Sequence, residues 1–154
     1  MANQRETILE YMRTYLTSEL KIINGYNFDI AKVYRTFRHW DRENELPVLC
    51  ILDGDEDITG DANEQLKRNM HVLIIGYVQI TDRDDTVIYP GTCVNKLLAD
   101  VINALYKNWS SVMLNANCRM IKFTRVQTDL GMIYPKGAFE LSCDIEYVHE
   151  LGHA

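Results

Sequence analysis

The stretch DGDEDITGDANE places Asp53, Asp55, Asp57, Thr59, Asp61 and Glu64 at positions 1, 3, 5, 7, 9 and 12 of an EF-hand-like loop. Oxygen ligands at that spacing suit a hard cation such as calcium. Two features weigh against it: Ile58 stands where the sharp turn needs glycine, and a strand-like run precedes the stretch. The expected reading is therefore a solvated acidic loop, with no metal. A second acidic set lies in GAFELSCDIEYV, where Glu140, Ser142, Asp144 and Glu146 alternate with Phe139, Leu141, Cys143, Ile145 and Tyr147. Successive side chains of a strand point to opposite faces, so this segment presents one apolar and one acidic face.

Covalent chemistry finds no foothold. His39, His71, His149 and His153 are scattered, without HxH or HExxH spacing. Cys50, Cys93, Cys118 and Cys143 form no CxxC pair and fall within apolar segments, as expected of reduced core thiols. Ser110-Ser111 lacks a nucleophile elbow, and the glycines form neither a phosphate loop nor a dinucleotide fingerprint. No enzyme activity and no cofactor are expected. Trp40, Tyr77, Trp109 and Tyr147 are amphipathic aromatics of the kind enriched at protein interfaces.

The elements that position these residues follow from periodicity. Leu9, Met12, Leu16, Leu20 and Ile23 step by three and four, predicting a helix over Thr7–Ile23 that Asn24-Gly25 ends. Ile30–Trp40 reads as an exposed strand, Asp41–Glu45 as a charged turn, and Leu46–Leu52 as a short strand apolar on both faces, with Pro47 at its start or on an edge. Gln65–Ile80 reads as a long central strand in which Gly76 marks a bulge or a close approach. Val94, Leu97, Leu98, Val101, Ile102 and Leu105 predict a second helix with Thr92 as N-cap and Asp100 on its polar side. Strands over Cys118–Gln127 and Gly137–Val148 close the chain. Strands grouped in runs predict an α+β fold: one domain over 1–154, with a mainly antiparallel sheet and two principal helices on one face.

The 154 residues suffice for one domain with a substantial core, and a charge of −6 argues against binding nucleic acid by phosphate neutralisation. No apolar run reaches membrane-spanning length, and the first residues lack the pattern of a secretory leader, so no membrane association is expected.

An N-terminal helix running into IINGYNFDIAKVYR, then W-x-x-E-x-ELPVLCI-x-DG, NMHVLIIGYV, LLADVINAL and TDLGMIYPKGAFELSCDIEYVHE, resembles the tail terminator and tail-completion proteins of phages (lambda-type terminators) in element order over nearly the whole chain. The resemblance implies a homo-oligomeric ring, hexameric in that family, at the head-proximal end of a tail. The ring ends polymerisation of the tail tube protein and meets a neck or connector protein and, in contractile tails, the sheath protein. It also implies a virion component assembled in the host cytoplasm, with a lumen through which DNA passes without specific binding. Glu140, Asp144 and Glu146 then become candidates to line the lumen, and Trp40, Tyr77 and Trp109 candidates for interfaces. The loops Asp53–Glu64 and Thr81–Tyr89, the latter carrying Asp84 and Asp85, become docking arms. The alternatives are a neck or head-completion connector, a small α+β enzyme or ligand-binding dimer, and a calcium-stabilised module.

Overall fold

The computed structural model describes residues 4–59, 65–80, 90–107 and 118–150. Helix α1 (Gln4–Glu19) leads to β1 (Lys32–Tyr34), β2 (Val48–Thr59), β3 (Gln65–Gln79), helix α2 (Pro90–Lys107), β4 (Cys118–Thr128) and β5 (Lys136–Glu150). The five strands form one sheet in the order β1-β2-β3-β5-β4. Only β1 and β2 are parallel; the other three pairings are antiparallel. The fold is α+β, as the grouping of strands predicts.

Alternation in β5 sorts its side chains as expected. Phe139, Leu141, Cys143, Ile145 and Tyr147 are all buried, and they meet Ile8, Leu9, Met12 and Leu16 of α1 and Val94, Leu97 and Val101 of α2 in a single core. Both helices therefore cover the same face. Full burial of one such aliphatic side chain stabilises by about 1.5–3 kcal/mol, so this layer holds the sheet flat against its helices.

The opposite face carries a second, smaller cluster of Val48, Cys50, Ile75 and Tyr77, with Tyr34, Trp40, Leu46, Leu52, Leu73 and Ala138 packed around it. The run Leu46–Leu52, apolar on both faces in sequence, is covered on both: Leu49 and Ile51 enter the main core while Val48 and Cys50 enter the second. Irregular chain after β1 covers that cluster. Tyr77 donates its hydroxyl to the Arg38 carbonyl at 2.7 Å, and Lys136 Nζ donates to the Trp40 and Glu43 carbonyls at 2.9 Å each.

Several expectations need correction. The stretch from Asp53 is no loop: β2 continues to Thr59, pairing Glu56 with Met70 and Thr59 with Lys67 after a bulge between Asp53 and Glu56. Ladder pairing with β3 outweighs the low strand propensity of Asp and Gly. The strand expected over Ile30–Trp40 shrinks to Lys32–Tyr34, after which the chain turns through a 3-10 segment at Trp40–Arg42. Helix α1 stops at Glu19 because Lys21 is extended; a 3-10 turn, Ile22–Asn24, follows and Gly25 closes it at φ 96°. Thr92 lies inside the first turn of α2, which starts at Pro90, a residue whose missing N–H costs nothing there.

Gly76 resolves as a close approach. It pairs in register with Phe139, and a Cβ on it would lie 2.2 Å from the Phe139 ring.

Candidate functional site

The face of the sheet away from the helices brings Glu140, Asp144 and Glu146 into one row along β5, flanked by β3 and β4. Sequence alone gives these acids no partners; the structure supplies a cation to two of them. Lys67 Nζ lies 3.2 Å from Glu146. His71 sits opposite Asp144 in the ladder and places Nδ1 2.5 Å from its carboxylate, while Nε2 lies 3.1 Å from Asp57 on β2. A carboxylate accepts and does not donate, so the arrangement favours the imidazolium of His71, the form that offers a proton to each acid. The hydrogen bonds to Asp144 first and Asp57 second push its pKa above the ordinary histidine value. His71 thus ties β2, β3 and β5 together across the row. Its role was not visible as a motif, but period-2 alternation through MHVLIIGYV places it on the face of Leu73, Ile75 and Tyr77.

Glu140 differs from its two neighbours. It has no ion pair to any described residue and is exposed. With the Gln127 amide turned so that its nitrogen faces the acid, Gln127 donates to Glu140 at 3.1 Å and accepts from Arg125 at 2.8 Å. Glu140 also lines an open cleft of 380 Å³ together with Trp40 and Tyr77, so two interface candidates and one lumen candidate share one surface. Burial pushes the Tyr77 hydroxyl up to about 12, which keeps it a neutral donor. Trp109, Asp84, Asp85, Asp61 and Glu64 lie outside the described residues.

Of the EF-hand-like set, Asp53, Asp55 and Asp57 are strand residues, and extended backbone does not wrap a cation. Asp53 meets Arg5 at 3.2 Å and Asp57 meets His71. Among the described residues, no group of three or more His, Cys, Asp or Glu is arranged to hold a metal ion.

Two polar groups missed in the sequence prove to be structural. Glu56, on the helix-facing side of β2, accepts from the Tyr147 hydroxyl at 2.6 Å and from Arg68 at 3.2 Å, at the far end of the core. Asp100, expected on the wet side of α2, is buried and accepts from the Asn27 backbone at 2.9 Å and side chain at 2.8 Å. Burial raises its pKa against the lowering effect of those bonds. Cys143 lies in the core, where burial pushes its thiol up to about 12, far from the range of a thiolate nucleophile.

No protein-family model matches the chain, and no curated protein matches its sequence. Among solved structures, it is similar to one described as the sheath/tube terminator of an extracellular contractile injection system, PVC, in the extended state, seen by cryo-EM. The TM-score is 0.46 at 11% identity, over 96% of this chain and 58% of the other. This chain spans a little over half the length of that protein.

Proposed function

We propose that the chain is a tail terminator. Copies close into a ring, hexameric by the family resemblance, that caps the head-proximal end of a tail tube, stops its growth and offers the neck a joining surface. The observation that supports this reading is the one-sided layering of the fold. Both helices pack on one face, while the other exposes a polar row beside an aromatic cleft, leaving a wall and a contact surface on the same side of the sheet. The Glu140 row faces the lumen in this reading. Lys67 and His71 offset Glu146 and Asp144, and Lys122 faces Asp144 from β4, so the row is close to neutral and lets DNA phosphates pass without trapping them.

The test is the mass of the purified protein by light scattering, followed by electron microscopy of the protein mixed with tail tubes. A particle about six times the 17.9 kDa chain with a central hole, found at one end of each tube, is the expected result. A tight dimer that leaves tube ends bare overturns the reading.

A further inference from the structure

Two strand edges of the sheet are open among the described residues. Strand β4 is an outer strand paired only with β5. Strand β2 is shielded by β1 only at Val48, Leu49 and Cys50, so from Ile51 to Thr59 its side away from β3 has no described strand beside it. Arg5 reaches this edge at the Gly54 carbonyl, 2.5 Å away. Beyond it, no described residue outside β3 bonds the backbone from Asp55 to Thr59. Long open edges are templates for pairing with another chain, and folds that remain single usually blunt them.

The two edges are opposites in charge. Strand β4 carries Arg119, Lys122 and Arg125 and no acid; all three are exposed, and none makes an ion pair to a described residue. The open part of β2 carries Asp53, Asp55, Glu56 and Asp57 and no base; Asp53, Glu56 and Asp57 already meet Arg5, Arg68 and His71, which leaves Asp55, exposed and without an ion pair to a described residue, as its free acid. Each edge also exposes apolar side chains: Ile58 on β2, Met120 and Val126 on β4. The strand directions match as well. Since β2, β3, β5 and β4 alternate in direction, β4 of one copy set beside β2 of the next, about an axis along the strands, runs antiparallel to it.

We infer that the partner of the basic β4 edge is the acidic Asp55–Thr59 edge of a second copy of this chain, joined as a continuous antiparallel ladder. The contact is heterologous, so each copy keeps one edge of each kind free, and repetition closes a ring or extends a row. This inference gives the ring of the preceding section its joint, and its failure is separable from that reading.

The experiment uses the full chain carrying both Asp55→Cys and Lys122→Cys, treated at high concentration with a short bismaleimide, which traps even weak association. The expected product is a covalent ladder of dimer, trimer and higher species. An equimolar mixture of the two single variants should stop at dimer, and each single variant alone should match wild type. A double variant that cross-links no more than the singles overturns the inference, as does dimer formation by one single variant alone, which would mean like edges meeting.

Charge exchange supplies a second readout. Asp55→Lys and Lys122→Glu should each reduce association several-fold, and mixing them should restore it, because each then offers the edge the other lacks. Association unchanged in both variants overturns the inference. Rings with a hole that give no ladder remove this joint alone, whereas ladders from a protein that leaves tube ends bare remove the terminator reading alone.

Discussion

At the scale of single residues, the sharpest constraints come from side chains that the pattern of the sequence leaves unremarked. Asp100 looks solvent-facing on a helical wheel, yet its carboxylate closes the Asn27 backbone and side chain onto α2. Asp100→Ala strips both donors of their partner inside the protein and should cost about 1–3 kcal/mol, read as a lower denaturation midpoint in urea. His71 gives a pH signature. Its folded pKa is raised above the ordinary 6.5, so its contribution is complete below that value and disappears as pH rises through the folded value. Wild type should therefore lose more stability than His71→Gln over the range above about pH 6.5, measured by thermal melts at stepped pH. Asp144 and Asp57, with Glu146, Lys67 and the facing Lys122, are the charges around it, and both proteins carry all of them. Cys143 should resist maleimide in the folded protein and react on unfolding, since its thiol is both covered and raised to about 12.

At the scale of elements, period-2 and period-3.6 patterns were legible in the longer elements that bury one face in the core. Strand β5, the centre of β3 and the stripe of α2 fall where the alternation of FELSCDIEY, MHVLIIGYV and VNKLLADVINAL puts them. What stayed hidden depended on partners distant in the chain. Nothing local in DGDEDIT favours a strand; its conformation comes from the ladder to Lys67–Met70. The short β1 exists because its backbone pairs in parallel with Val48–Cys50, and no property of KVY announces that. The polar row was legible as a row but not as an ion-paired one, because its cations sit on β3, some seventy residues earlier. One element-scale prediction concerns the irregular cap over the second cluster. Lys136→Met removes both bonds to the Trp40 and Glu43 carbonyls but keeps the apolar stem. Loss of a charged donor to two part-buried carbonyls should cost about 1.5–3 kcal/mol and speed hydrogen exchange through residues 38–43 more than elsewhere.

At the scale of the whole molecule, the sheet is a plate armoured on one side, and its second side does two things at once: it is apolar near β1 and β2 and polar along β5. If the polar half faces DNA in an assembled ring, Glu140→Lys should slow genome passage more than Glu146→Lys. Glu140 has no ion pair to a described residue, only the Gln127 amide that links it to Arg125, whereas Glu146 meets Lys67 directly; ring mass should be the same for both, and equal passage rates for the two variants and wild type would remove the lumen assignment. In this plate Gly76 has a meaning beyond packing. The Phe139 ring sits in the notch that the missing side chain leaves, 2.2 Å from where a Cβ would be. Gly76→Ala should accordingly cost about 1–3 kcal/mol in stability. The same notch works as a detent: sliding β3 along β5 by two residues drives Ile74 or Val78 into the ring, so the register of the central pair is locked against slip.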